Sequence, residues 1–150
     1  MSVAHGKRFE ETIKRKLDKL PYHWKRIKTR QSGFKNDNEI ADFYVFAHGQ
    51  LLYLETKSTL KSTFPFSSIQ PSQLLGLYEA NKFSGVSGGI LVEFLEHQTV
   101  YYLDITVVEE VLKTRKSITH KQAQELGLAV DINTDFITAI IEEVSTWNQN

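Results

Sequence analysis

Cysteine is absent from the 150 residues. That excludes disulfide staples and thiolate metal ligands, and it leads us to expect an intracellular protein. No apolar run approaches the ~20 residues of a membrane-spanning helix, and no basic n-region followed by an apolar h-region opens the chain. No membrane partner is therefore expected. Pro/Gly/Ser-rich linkers, internal repeats and low-complexity tracts are also missing, so residues 1–150 read as a single domain, long enough to bury a real core. A Gly-rich phosphate loop, a nucleophile elbow and a dinucleotide fingerprint are missing too, which argues against an ATPase or a covalent hydrolase. The histidines, His5, His23, His48, His97 and His120, show no metal-ligand spacing, and His48 reads as a turn residue rather than a base.

Net charge is a further absence, since 18 basic residues balance 18 acidic ones. The distribution is uneven. Residues 1–61 hold 13 Lys/Arg against 7 Asp/Glu, whereas residues 62–150 hold 5 against 11. A basic half beside an acidic one can present a phosphate-binding face at neutral overall charge. A solvated surface plus an acidic helix accounts for the same numbers.

Apolar periodicity outlines the elements. Phe9, Ile13, Leu17 and Leu20 recur at helical spacing over 3–20, and Pro21 ends the pattern. Residues 22–30 read as a strand, 30–39 as a polar loop, and 40–47 and 50–57 as strands around His48-Gly49. Pro71 suits the first turn of a helix over 71–82. Two strands, 87–95 and 98–105, precede helices over 106–114, 115–127 and 134–147, with Thr119 and Gly127 as caps of the second. The order αβββαββααα implies an α/β (α+β) fold with a mixed central sheet flanked by helices.

Charge interrupts this pattern in IADFYVFAHGQLLYLETKS, residues 40–58. With His48 and Gly49 as the centre of a two-residue turn, Phe46 faces Leu51, Val45 faces Leu52, Tyr44 faces Tyr53 and Phe43 faces Leu54. Asp42 then falls opposite Glu55, and alternation puts Asp42, Glu55 and Lys57 on one face. Opposed like charges destabilise a sheet. A hard divalent cation bridging the two carboxylates would remove that cost, as Mg²⁺ sites built from one or two carboxylates do. A lysine two residues on could orient or deprotonate a water, or meet the charge developing on a phosphate. The triplet acid-x-Lys is common by chance, although Glu55-Thr56-Lys57 is the only one here. An edge-strand ion pair of Lys57 with Asp42 or Glu55 explains the same residues.

The whole set of motifs resembles the PD-(D/E)xK nuclease superfamily and, more narrowly, RecU, the Holliday junction resolvase of Gram-positive bacteria and their phages. GKRFEETI (6–13) is similar to that family's opening motif. STFPFSSIQPSQ (62–73) is similar to the segment after its lysine, and RKSIT (115–119) to a short C-terminal stretch. The resemblance implies a restriction-endonuclease-like core and a metal-dependent endonuclease, with Mg²⁺ as cofactor and Mn²⁺ as a substitute. It implies Asp42, Glu55 and Lys57 as the catalytic acids and lysine, Glu10 as a helix-borne acid and Gln73 as the family's glutamine. Asp42, Glu55 and the carbonyl of Thr56 would be the metal ligands.

Lys7, Arg8, Lys14, Arg15, Lys25, Arg26, Lys28, Arg30 and Lys35 are candidate phosphate contacts, and Phe34 could stack on an unpaired base. The implied partner is branched DNA in a bacterial or phage-infected cell. Junction symmetry calls for a homodimer, with Phe64-Pro65-Phe66 and the C-terminal helix as candidate dimer surfaces. Two departures stand out: Ala41 replaces the superfamily's proline, and about ten residues, RQSGFKNDNE, stand where RecU proteins carry a long stalk. A nuclease for other DNA structures, a non-catalytic DNA-binding module and an interaction domain without a DNA role are the alternatives.

Overall fold

The computed structural model describes residues 2–27 and 39–147, with side chains at 5–27 and 39–146. Helix α1 (Ser2–Asp18) buries Phe9, Ile13 and Leu17, one residue per turn, and places Arg15 and Lys16 in its last turn, where cations suit the helix dipole. Three antiparallel strands follow: β1 (His23–Arg26), β2 (Phe43–Ala47) and β3 (Gln50–Thr59). The turn between β2 and β3 has positive φ at both central residues, 53° at His48 and 74° at Gly49, as a two-residue hairpin turn demands. The register is the one that turn dictates, from Ala47 with Gln50 to Phe43 with Leu54.

A short strand β4 (Thr63–Pro65) and a 3₁₀ turn (Phe66–Ser68) lead into α2 (Pro71–Ala80), which crosses to β5 (Val86–Phe94). Strand β5 lies parallel to β3, from Leu51 with Val86 to Thr59 with Phe94. Then come β6 (Thr99–Asp104), α3 (Ile105–Leu112), β7 (Ser117–Thr119), α4 (His120–Leu126), β8 (Leu128–Val130) and α5 (Phe136–Trp147). The six-stranded sheet runs β1-β2-β3-β5-β6-β8, mixed because only β3 and β5 are parallel; β4 and β7 pair in a separate two-stranded ribbon.

The sheet separates two apolar clusters. Phe9, Ile13 and Leu17 of α1 and Phe136, Ile137, Ile140, Ile141 and Val144 of α5 pack with Val45, Leu52, Leu54 and Leu91. On the other face Leu77, Ile105, Val108, Val111 and Ala123 from α2, α3 and α4 pack with Ile90, Val92 and Phe94. Leu91 and its neighbours thus bury opposite faces of β5, which explains the unbroken apolar run of a central strand. Gly88 and Gly89 are required there. A Cβ on Gly88 would come within 2.8 Å of Leu77, and one on Gly89 would strike the Leu103 carbonyl and the Tyr102 ring.

Asp104 joins β6 to α3. Its Oδ2 accepts from Thr106 N (3.1 Å) and Thr106 Oγ1 (2.6 Å), and its Oδ1 accepts from the hydroxyl of fully buried Tyr102 (2.9 Å). Asp104→Ala removes a helix cap and leaves the Tyr102 hydroxyl unsatisfied. A loss of about 2–4 kcal/mol in urea-unfolding stability is expected; a loss under 0.5 kcal/mol would contradict this account.

Several expectations are corrected. In the segment 115–127 the helix runs His120–Leu126 between the expected caps, Thr119 and Gly127, while Ile118 and Thr119 extend and pair with Phe64 and Thr63 instead of joining it. Thr119 does cap it: Thr119 Oγ1 accepts from Gln122 N and the Gln122 side chain accepts from Thr119 N. Strand β1 spans His23–Arg26, and the end expected at residue 30 lies outside the described residues. Of the candidate dimer surfaces, Phe64 and Phe66 are buried edge-to-face with centroids 6.0 Å apart, and Phe136, Ile137, Ile140, Ile141 and Val144 of α5 turn into the core, so these apolar side chains are committed within the chain.

Candidate active site

The ladder of β2 and β3 stops one step short of the charged residues. Asp42 lies in a bend before β2, and its amide donates to Leu54 O (3.1 Å). The expected direct opposition of Asp42 and Glu55 is therefore absent. The reason is local: Asp42 Oδ2 accepts from both Thr56 N (2.9 Å) and Thr56 Oγ1 (2.7 Å), which turns the carboxylate toward Thr56. Both bonds fall on one oxygen, so Oδ1 is spared for other work.

Glu55 follows on β3, only 3% exposed. Its Oε1 accepts from Gln73 Nε2 of α2 (3.0 Å), and its Oε2 lies 3.6 Å from Lys57 Nζ. From α1, Glu10 approaches with Oε2 3.3 Å from Arg26 Nε, and Arg26 Nη2 also donates to Glu11 (2.8 Å). Glu10, Asp42, Glu55, Thr56 and Lys57 together line a cleft of about 310 Å³ that Gly6, Ser58 and Ser68 complete. Residues from α1, the β2–β3 hairpin and the 3₁₀ turn thus converge at one point, which a run of surface charges has no reason to do.

The profile of the RecU family, described as Recombination protein U, matches residues 7–146. The chain belongs to the RecU family. RecU proteins are Holliday junction resolvases, so this protein is an endonuclease of DNA recombination and repair. Among solved structures it is similar to Archaeoglobus fulgidus Hjc, a Holliday junction resolvase from an archaeal hyperthermophile. The TM-score is 0.59 at 17% identity, with 83% of this chain and 95% of that chain covered. At that identity the likeness speaks for the fold, which is the restriction-endonuclease-like one. No curated protein matches the chain.

In this RecU-family site the electrostatics are set by burial. Glu55 is pushed up to about 8, first by burial and then by the negative charge of Asp42; Lys57 and the Gln73 hydrogen bond pull the other way. Burial also raises Asp42, against the two Thr56 hydrogen bonds and the charges of Lys57 and Arg26. Two carboxyls that disfavour joint ionisation are suited to a divalent cation, which would remove the cost of charging both. The donors are all hard oxygens, as Mg²⁺ prefers. Among the described residues no group of three or more His, Cys, Asp or Glu is arranged for a metal ion. Water and phosphate oxygens would therefore fill the rest of a shell, and Glu10 is not counted as a ligand.

The expected DNA contacts divide. Lys7, Arg8, Arg15 and Lys25 are exposed, and Lys14 is half-buried. Arg26 points inward, over the Phe43 ring (5.7 Å) and against Glu10 and Glu11, so its first partners are protein carboxylates. Lys28, Arg30, Phe34 and Lys35 lie outside the described residues. Sequence reasoning missed the Thr56 hydroxyl and the Arg26–Glu10 pair. The alternating exposure of β1, with Lys25 out and Arg26 in, was the available signal for the second.

Proposed function

We propose that this RecU-family protein resolves four-way DNA junctions by hydrolysing one phosphodiester in each of two symmetric strands, at the cleft of Asp42, Glu55 and Lys57. The convergence of those side chains with Glu10 on one cleft carries this reading. Asp42, Glu55 and the Thr56 carbonyl would hold Mg²⁺, or Mn²⁺ in its place. When bound, the cation supplies charge neutralisation for the phosphate and a more acidic water.

The protein's own groups do the rest. Thr56 holds the Asp42 carboxylate, and Gln73 holds Glu55. Lys57 Nζ meets the developing phosphate charge or orients the attacking water. Arg26 fixes Glu10 at the edge of the cleft. Water oxygen forms the new bond to phosphorus, the bond to the 3′ oxygen breaks, and the proton ends on that oxygen, leaving 5′-phosphate and 3′-hydroxyl. Lys7, Arg8, Lys14, Arg15 and Lys25, with Lys28, Arg30, Lys35 and a stacking Phe34, would hold DNA without reading sequence. The whole chain acts as one nuclease domain, paired as a homodimer in the cytoplasm of a bacterial or phage-infected cell.

One observation favours a second reading. About ten residues, RQSGFKNDNE, replace the long stalk, which favours a related nuclease acting on flaps, nicks or duplex.

Both readings require metal-dependent cutting. DNA cleavage with Mg²⁺ is expected to vanish in EDTA and to fall about 10²–10³-fold in Lys57→Ala. Tight DNA binding with no cutting under any divalent metal would reject the enzyme reading and leave a binding module.

A further inference from the structure

The C-terminal acidic stretch hides a second basic cluster. Of the five Lys/Arg after residue 61, four fall within nine positions: Lys113, Arg115, Lys116 and Lys121. Lys113 pairs with Glu110 (3.3 Å). Arg115 and Lys116 are exposed and hold no ion pair among the described residues.

The fold carries this pair to the active site. Strand β7 runs antiparallel to β4, Pro65 sits opposite Ser117, and Phe66 N donates to Lys116 O (3.0 Å). Two residues past Phe66, Ser68 lines the catalytic cleft. At ~3.5 Å of chain per residue, Lys116 stands within about 10 Å of the cleft wall, inside the reach of a lysine or arginine side chain plus one phosphate. Gly6 and Glu10 enter the cleft from α1, whose core residues pack in the cluster on one face of the sheet. Phe66 and Ile69, on either side of Ser68, pack in the cluster on the other face. Helix α1 and the segment joined to the β4–β7 ribbon therefore bound the cleft from opposite faces of the sheet. The other end of the ribbon is less inviting to an anion, since Glu96 accepts there from Ser62 Oγ (2.7 Å).

We propose that Arg115 and Lys116 form a second phosphate-binding lip, which holds the DNA backbone on the side of the cut away from α1. The inference rests on the nuclease reading of the cleft and adds to it the binding of a second segment of the same substrate. Guanidinium and ammonium groups bind backbone phosphate oxygens without sequence preference. They extend the track from one side of the scissile bond to both. A fixed backbone on both sides is what in-line attack at one phosphate requires.

The test is junction binding in EDTA, by fluorescence anisotropy across a salt series, with wild type, Arg115→Ala/Lys116→Ala and a control of equal charge change, Lys19→Ala/Lys82→Ala. The first pair should weaken binding about tenfold and flatten the slope of log K against log salt by about 2, near 0.9 per lost phosphate contact. The control should do neither. Both lip side chains are exposed and unpaired, so urea-unfolding midpoints should match wild type; a Gln/Gln pair gives the same readout should alanine disturb the ribbon. Equal effects in both pairs, or an unchanged slope in the first, would overturn the lip and leave the nuclease reading intact. Absence of salt-sensitive junction binding by wild type would overturn both.

Discussion

Asp42→Asn is expected to lower junction cleavage by about three orders of magnitude while leaving the fold and junction binding in place. The amide oxygen can still accept from Thr56 N and Thr56 Oγ1, now 2.9 and 2.7 Å from Asp42 Oδ2, so the bend before β2 keeps its hydrogen bonds. What disappears is one of the two negative charges available to a divalent cation. Such charge stabilisation is worth several kcal/mol in the transition state, and each ~1.4 kcal/mol is tenfold in rate. Removing the charge also relieves Glu55, since Asp42 is the second cause of its raised pKa. Cleavage within tenfold of wild type, in a variant that binds junctions normally, would remove Asp42 from the mechanism.

Glu55→Gln should separate stability from activity in opposite directions. In the metal-free protein Glu55 titrates near 8, against 4.5 in the unfolded chain. Between those pH values the folded state keeps a proton that the unfolded chain releases, so stability is full below about 4.5 and is lost as pH rises toward 8. Burial raises Asp42 in the same sense, and its contribution to the pH slope has the same sign. A raised carboxyl of this kind is worth on the order of a few kcal/mol.

Glutamine matches the neutral, protonated form and still offers an oxygen to Gln73. The variant should be more stable than wild type at pH 8 in EDTA, by about 1–4 kcal/mol, and no more stable at pH 4. Its cleavage should fall at least 10²-fold. For wild type, adding Mg²⁺ should raise the unfolding midpoint more at pH 8 than at pH 6, because binding a cation must displace the Glu55 proton. Urea titrations at the three pH values decide this. A wild-type stability that rises from pH 6 to pH 8 in EDTA would contradict the linkage.

Much of this site was legible in residue order alone, and its misreadings have definite causes. The His48-Gly49 turn fixes the hairpin register because two positive φ values leave only one way to close it. That register correctly aligned residues 43–47 with 50–54. It failed by one step at Asp42, where side-chain hydrogen bonds to Thr56 outcompete the ladder, a competition that periodicity does not encode.

Gln73, singled out as the family's glutamine, donates to Glu55, a contact that its place in the sequence did not specify. The three-residue strands β4, β7 and β8 were invisible because a period of two needs more than three positions to register. Their consequence is large, since the β4–β7 ribbon ties the segment after Lys116 to the one that leads to Ser68 of the cleft. Arg26 looked like one more phosphate contact in a basic run. Alternation along β1 instead places it beside Glu10 and Glu11, with which it pairs. Phe64 and Phe66 looked like an exposed apolar patch, and the same ribbon buries them.

The central claim is that this cleft resolves four-way junctions. It is tested most directly by cutting a synthetic junction beside a linear duplex built from the same arms, with Mg²⁺ and wild-type protein. Paired, symmetric nicks across the junction, with the duplex left whole, are the predicted result. Equal cutting of junction and duplex would contradict it, and would assign the cleft to a general nuclease.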